Sequence, residues 1–207
     1  MGRYTGAKCR LCRREGAKLF LKGDRCFSGQ CAVTRRRTPP GQHGRFRRRP
    51  TQFSIHLREK QKAKRMYGVG EAQFRRYVER AKGWKGVTGE ALLRYLESRL
   101  DNAVYRAGFA SSRDQARQFI NHGHFQVNGR HTNIPSYLVQ EGDVVEVKPE
   151  SRDRLRSQVK AAAERRALPS WLTRDLEGLR VQVTSVPGLE ELDQSIEVNL
   201  IVEFYSR

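Results

Sequence analysis

Arg99-Leu100-Asp101-Asn102-Ala103-Val104-Tyr105-Arg106, then Ala110-Ser111-Ser112-Arg113-Asp114-Gln115-Ala116-Arg117-Gln118-Phe119-Ile120-Asn121-His122-Gly123, then Val127-Asn128-Gly129-Arg130 and Gly142-Asp143-Val144-Val145-Glu146-Val147: this stretch decides the fold. Leu93, Leu96, Leu100, Ala103, Val104 and Ala107 recur at helical spacing, which predicts one helix from Gly89 to Ala107 with that stripe buried. Gly108 ends it. A second helix starts at Ser111 or Ser112, each followed three residues later by Asp114 or Gln115 as in a capping box, with Ala116, Phe119 and Ile120 inward and Gly123 as the stop. The period then changes to two. Phe125 and Val127 alternate ahead of Asn128-Gly129, a strong hairpin signal, and Gly142-Asp143 opens a last alternating strand through Val145 and Val147. The stretch reads as a small α-plus-β module.

Arg113 and Arg117 stand four apart and share a face of the second helix near its N-terminus, where phosphate is a natural partner. An isolated pair of this kind is usually a solvated helix face. The charge around it shifts the weighting. Formal net charge is +19 over 207 residues, and it is unevenly placed. Residues 1–49 hold 15 Lys+Arg against 2 Asp+Glu, residues 91–150 are balanced at 7 and 7, and the tail from 176 is acidic, 2 against 6. That polarity points to a polyanion reached mainly through the N-terminal half. A membrane is the weaker reading, because no run approaches the roughly 18 apolar residues of a span. No secretory leader follows Met1-Gly2-Arg3-Tyr4-Thr5.

The first fifty residues are poor in core formers. Cys9, Cys12, Cys26 and Cys31 are spaced C-x2-C-x13-C-x4-C, two short segments each able to turn a pair of thiolates inward. The expectation is a structural metal site, one zinc ion or, on the same four cysteines, a 4Fe-4S cluster; spacing does not separate the two. Such a site would replace the core the segment cannot build. Residues 34–50 follow as an arginine-rich arm whose Pro and Gly prevent regular structure: Arg35, Arg36, Arg37, Arg45, Arg47, Arg48 and Arg49 are candidate RNA contacts.

Phe53, Leu57, Ala63, Met66 and Tyr67 mark a charged helix ending at Gly68, and Phe74, Tyr77, Val78 and Ala81 fall at i, i+3, i+4, i+7 on another. Trp84, between Lys82 and Lys85, is placed either to pack or to stack. Arg152 to Leu168 reads as a helix with Leu155, Val159 and Ala162 inward, broken by Pro169, with Trp171 an anchor. Leu179, Val181 and Val183 alternate, as do Ile196, Val198 and Leu200, which predicts a C-terminal β-hairpin turning near Pro187-Gly188.

From Leu57 onward the chain resembles the bacterial family of small-ribosomal-subunit protein number four. The resemblance rests on Leu57-Arg58-Glu59-Lys60-Gln61-Lys62, Arg99 to Arg106, Ser112 to Gln118, His122-Gly123-His124, Val127-Asn128-Gly129, Ile134-Pro135-Ser136-Tyr137 and Ile201-Val202-Glu203-Phe204-Tyr205-Ser206, in order along essentially the whole chain. It implies direct binding to small-subunit ribosomal RNA at a junction of helices in the 5′ domain, early in assembly. It also implies a place near the path by which messenger RNA enters, beside protein number five; some members repress translation of their own operon. The module around residues 99–150 is shared with certain tRNA synthetases and pseudouridine synthases. Carried over by motif, its RNA face includes Arg99, Arg106, Ser112, Arg113, Gln115, Arg117, His122, His124 and Asn128, with Arg58 and Lys62 outside the module. Many members lack the cysteines; this sequence has the complete four, and the family has examples assigned to zinc and to an iron–sulfur cluster.

The expectation is thus an α+β protein in three parts: a metal-stapled basic segment over 1–49; a mainly helical domain over 50–90 plus 169–207, completed by C-terminal strands; and an inserted RNA-binding module over 91–168. Function is expected to be architectural, in the cytoplasm, on the small ribosomal subunit and not enzymatic, with ribosomal RNA, neighbouring ribosomal proteins and messenger RNA as partners and no membrane. The alternatives are an RNA-modifying enzyme or a nucleic-acid-binding regulator carrying the same module. Neither a P-loop, a recognisable Ser/His/Asp set nor an open metal site supports the enzyme.

Overall fold

The computed structural model describes residues 4–42 and 49–206, and its contacts divide the chain into two compact units, 1–93 with 193–207 and 94–192. The architecture is mixed, helices with one small antiparallel sheet.

In the first unit, α1 (Lys8–Glu15) and the four-residue α2 (Ala32–Arg35) belong to the cysteine-bearing segment, followed by α3 (Gln52–Met66) and α4 (Glu71–Lys82). Thr51 caps α3, its side-chain oxygen accepting from the Ser54 N–H at 3.2 Å. Helix α4 buries Phe74, Tyr77, Val78 and Ala81, the stripe its spacing predicts. Helix α3 departs from expectation. Its buried face is His56, Lys60, Ala63 and Met66, while Phe53 is exposed.

The reason lies at the C-terminus. The strand expected over Ile196, Val198 and Leu200 does not form: Val198 and Leu200 belong to a helix, α9 (Val198–Ser206), which packs along α3, and Ile196 lies just ahead of it. A dense apolar run fits both a period of two and one of 3.6, so packing arbitrates. Phe204 lies against Phe53 with ring centroids 5.7 Å apart, and the Lys60 ammonium sits 4.4 Å from the centre of the Phe204 ring. Lys60 donates to Glu71 Oε1 at 2.8 Å, Lys64 to Oε2 at 2.9 Å, and the Tyr205 hydroxyl to Oε1 at 2.9 Å. One carboxylate thus joins α3, α4 and α9.

The second unit contains α6 (Leu100–Arg106), α7 (Arg113–Asn121), α8 (Pro149–Glu164) and five strands: β1 (Phe125–Val127), β2 (Arg130–His131), β3 (Val144–Val147), β4 (Leu172–Asp175) and β5 (Arg180–Val183). The sheet order is β2-β1-β3-β5-β4, every pairing antiparallel. Leu179-Val181-Val183 therefore does not join a C-terminal hairpin with residues 196–204. Val181 pairs opposite Val145 of β3, and the sheet gains its last two strands from beyond α8. Leu172, Val181 and Val183 enter one core with Phe109, Phe125, Val145, Leu155, Val159 and Trp171. Helix α8 turns in Leu155, Val159 and Ala163, so its face sits one residue past the expected Ala162.

The single helix expected over 89–107 is two, α5 (Thr88–Glu97) and α6, broken at Ser98-Arg99. Arg99 is extended, φ −69° and ψ 139°, and bridges Leu138. The segment from Pro135 to Val139 takes over the local backbone bonding: Tyr137 C=O accepts from Leu100 N–H at 2.8 Å, Pro135 C=O from Asp101 N–H at 3.1 Å, and Val139 N–H donates to Ser98 C=O at 2.8 Å. The apolar stripe continues across the break, which is why periodicity alone does not show it.

Glu71 carries a pH dependence. Burial opposes its ionisation, but the hydrogen bonds from Lys60, Lys64 and Tyr205 outweigh it and bring the carboxyl down to about 2 from 4.5. A depressed carboxyl stabilises above its ordinary range and loses that contribution as pH falls through the folded-state value. The melting-temperature difference between wild type and Glu71→Gln should therefore be largest above pH 4.5 and shrink as pH approaches about 2. A constant difference across that window would dissociate the carboxylate's charge from the docking of α9.

Candidate nucleic-acid interface

The N-terminal cysteines gather without forming a metal centre. Cys9 and Cys12 lie one turn apart on α1, Cys26 ends a short 3-10 turn (Gly23–Cys26) and Cys31 precedes α2; the four line one small cavity with Lys8, Leu21 and Lys22. Among the described residues, no group of three or more His, Cys, Asp or Glu side chains is arranged to hold a metal ion. Burial pushes the Cys12 and Cys26 thiols up, whereas at Cys31 the hydrogen bonds from Thr34 and Val33 outweigh burial and bring the thiol down. Cys26 Sγ already accepts from the Lys22 N–H at 3.3 Å. Cys12, Cys26 and Cys31 are instead buried as small apolar residues beside the fully buried Leu19. Polar links help close the segment. Arg13 donates to Thr38 C=O at 2.9 Å and Pro39 C=O at 3.3 Å, and Glu15 pairs with Arg58 at 3.4 Å and with Arg65.

Arg35, Arg36, Arg37 and Arg49 are exposed; Arg45, Arg47 and Arg48 lie outside the described residues. Arg58 is tied to Glu15. Lys62 is half-buried, with Glu59 at 3.0 Å and the Ser195 carbonyl as partners.

The second unit holds the densest arrangement. Arg99 has no exposed surface and grips Asp101 with both arms of its fork, Nε to Oδ1 at 2.9 Å and Nη2 to Oδ2 at 2.6 Å. Arg117, reaching down from α7, approaches the same Oδ2 at 3.4 Å. Arg106 makes the second bidentate pair, Nε to Glu97 Oε2 at 2.9 Å and Nη2 to Oε1 at 2.8 Å. Buried Asn102 then bridges. Its amide donates to Glu97 Oε2 at 2.7 Å and to the Glu97 carbonyl at 2.8 Å, and its oxygen accepts from Arg113 Nε at 2.8 Å. The Arg113 guanidinium lies 4.6 Å from the centre of the Tyr105 ring; that of Arg166 lies 3.6 Å from it and donates to the carbonyls of Tyr105, Ala110 and Ser111.

These bonds hold four of the sequence-selected arginines together at the α6–α7 face. Arg99 contributes by holding Asp101, and through it Arg117. Arg106 and Arg117 keep about a quarter of their side-chain surface exposed, 27% and 24%. Glu97 and Asp101 hold three of these guanidiniums directly, and Asn102 holds the fourth, Arg113.

Ser112, nearly buried, caps α7 by accepting from Gln115 N–H at 3.2 Å, while Gln115 Oε1 accepts from the Ser111 N–H and hydroxyl at 2.7 Å each. Asn128 has φ +50° and Gly129 φ +73°, as a two-residue hairpin turn requires. Asn128 is exposed, and its side chain donates to Asp143 at 2.8 Å and accepts from Val144 N–H at 2.9 Å. His122 and His124 form a separate group, ring centroids 6.1 Å apart, with His124 Nδ1 2.9 Å from Ser151 Oγ. Burial, then the charges of Arg154, His122 and Lys148, pull the His124 pKa down, so that edge is already positive.

Sequence reasoning did not select Glu97, Asp101, Asn102, Tyr105 or Arg166. The signal for the first three was present: acids and an amide interleaved with arginines along Glu97-Ser98-Arg99-Leu100-Asp101-Asn102. Arg166 comes from the far end of α8, and nothing local marks it.

A basic α+β chain whose guanidiniums are pre-oriented on a packed scaffold is a protein of the RNA-binding class. Comparison with known proteins agrees. Residues 3–97 match the ribosomal protein S4/S9 N-terminal domain and residues 98–145 the S4 domain. Similar proteins include small ribosomal subunit protein uS4A of Symbiobacterium thermophilum, 59% identical over 207 residues, and uS4 of Halothermothrix orenii and Pelotomaculum thermopropionicum, 55% and 52% identical, with 100% of each chain covered in every case. The chain belongs to the uS4 family of small ribosomal subunit proteins, a structural and non-enzymatic family. These relatives are named without zinc or an iron–sulfur cluster. With the cysteine geometry, that corrects the expectation of a zinc ion or a 4Fe-4S cluster at Cys9, Cys12, Cys26 and Cys31.

Removing one partner of a fully buried pair strands the other charge. Asp101→Asn should cost about 3–5 kcal/mol in equilibrium denaturation, because Arg99 has no exposed surface through which to recover hydration. Arg117→Ala, at the half-exposed end of the same network, should cost no more than about 1 kcal/mol. Equal costs would show that Arg99 relaxes to a different partner.

Proposed function

We propose that this chain is a structural constituent of the small ribosomal subunit, in the cytoplasm, that binds small-subunit ribosomal RNA directly at a junction of helices in the 5′ domain and nucleates assembly there. Its place is near the path by which messenger RNA enters, beside protein number five. The observation that carries the reading is the α6–α7 network, in which Arg106, Arg113 and Arg117 are held in one orientation. Pre-oriented guanidiniums suit phosphates whose spacing is set by a folded RNA. Guanidinium N–H groups match phosphate oxygens, and little side-chain freedom remains to be lost on binding. Selectivity then comes from junction shape, since side chains cannot read the deep, narrow major groove of A-form RNA. The exposed Arg35, Arg36, Arg37 and Arg49, with the rest of the arginine-rich arm, add further phosphate contacts.

The division of labour follows. Arg99, Ser112 and Asn128 act as supports that set the positions of helix ends, turn and neighbouring cations. Arg106, Arg113, Arg117, Gln115, His122 and His124 carry the contacts, with Arg58 and Lys62 as secondary ones.

The test is affinity for a junction-containing 5′-domain fragment of small-subunit ribosomal RNA, against duplex DNA and an unrelated structured RNA at matched salt. The junction fragment should be preferred near physiological salt. The Arg113→Ala/Arg117→Ala double variant should bind it more weakly, with the slope of log affinity against log salt reduced by about 2. Unchanged affinity and slope in a folded double variant would sink the assignment of these two side chains, and equal binding to all three nucleic acids would reduce the protein to a non-specific polycation.

A further inference from the structure

We infer that Trp84 is a stacking platform for an unpaired RNA base, at a second contact surface on the first unit. The chain has two tryptophans with opposite fates. Trp171 is 1% exposed in the core of the second unit, whereas Trp84 is 50% exposed at the end of α4. Helix α4 buries Phe74, Tyr77, Val78 and Ala81 and turns Arg75, Arg76 and Arg80 to solvent along an open concavity that also touches Ala72, Glu71 and Glu79. Arg76 and Arg80 are one turn apart on that face.

Past the helix the chain tightens. Gly83 N–H bonds to Arg80 C=O at 3.2 Å and Trp84 N–H to Ala81 C=O at 3.1 Å, which carries the backbone on by one more turn, so that Trp84 follows Arg76 and Arg80 at intervals of four residues. Gly86, at φ +144°, brings the backbone close beside the ring: a Cβ there would stand 3.5 Å from Trp84 Cδ1. Lys82 and Lys85 flank the indole, both exposed. The two acids of this face are engaged, Glu71 by Lys60, Lys64 and Tyr205, and Glu79 by Lys82 at 3.8 Å.

A half-exposed indole one turn past Arg80 on the helix and between the exposed Lys82 and Lys85 in the chain has a definite complement. The ring offers a sequence-tolerant face to a base, and the cations take the phosphates on either side. That chemistry selects a single-stranded or bulged nucleotide over a duplex, whose bases are already stacked, and the surplus of positive charge selects it over an apolar protein surface. The surface lies on an element distinct from the α6–α7 network; that its nucleic acid is ribosomal RNA rests on the function proposed above.

The experiment uses the full chain and a single-stranded oligouridylate of about ten nucleotides. Emission from the solvent-facing indole should be quenched on binding, and the quench should vanish in Trp84→Phe, where only the buried Trp171 remains. Trp84→Ala should weaken affinity for the oligonucleotide by about 5- to 100-fold. Trp84→Phe, which keeps an aromatic face, should retain most of it. Thermal melts check that both variants are folded. Unquenched wild-type emission with oligonucleotide bound, or wild-type affinity in Trp84→Ala, overturns the inference. Neither result touches junction binding, which the arginine double variant reports. Conversely, quenching by the oligonucleotide in a protein that shows no junction preference would leave the stacking site standing and remove the assembly reading.

Discussion

Arg99 against Asp101 is the interaction on which the second unit depends. A guanidinium without solvent exposure is tolerable only if its donors are met, and Asp101 meets two of them in a single planar contact. The geometry has a backbone consequence. Arg99 must be extended for its side chain to fold back onto a carboxylate two residues later, so α5 and α6 cannot be continuous. The freed amides of Leu100 and Asp101 are satisfied by carbonyls of residues 137 and 135, which ties a loop otherwise lacking regular structure to the start of α6. A pair two residues apart in sequence thereby fixes a contact spanning almost forty.

The same pair organises charge. Asp101 also faces Arg117, and Glu97 answers Arg106 while Asn102 accepts from Arg113 and donates to Glu97. Acidic side chains in a nucleic-acid interface look unfavourable when counted. Here they are fewer than the arginines they hold, and they convert flexible cations into fixed ones. The entropy of positioning the forks is lost on folding and not on binding.

The first unit solves a different problem with similar means. Its C-terminal helix is short, and Ile201 alone among its described residues is fully buried, so its docking draws on Glu71, Lys60 and the Phe204 and Tyr205 rings. This explains the unusual face of α3, which buries a histidine and a lysine where its apolar pattern suggested otherwise. At the other end, the cysteine-bearing segment buries Leu19 and three of its thiols and spans itself with Arg13, an apolar and hydrogen-bonded solution to a stretch short of core residues.

Local signals carried much of this. The Ser112 cap, the Asn128-Gly129 turn, the i, i+3, i+4, i+7 stripe of α4 and the anchoring of Trp171 are decided within a few residues by hydrogen-bond reach, positive φ and helical period, and each was legible from the chain alone. The family, too, was legible in its ordered motifs. Tertiary structure decided whatever depended on a partner distant in sequence. The run from Val198 became a helix because α3 and Glu71 offered it a face, and β5 paired with β3 because the sheet had an open edge there. The helix broke at Arg99 because a buried charge outweighs an uninterrupted apolar stripe. The cysteines show the limit of spacing, which brings four side chains near one another but does not aim their sulfurs. The arginine pattern showed that the surface was cationic; only packing determined which cations are held rigid, because that depends on carboxylates, an amide and a ring supplied by two helices.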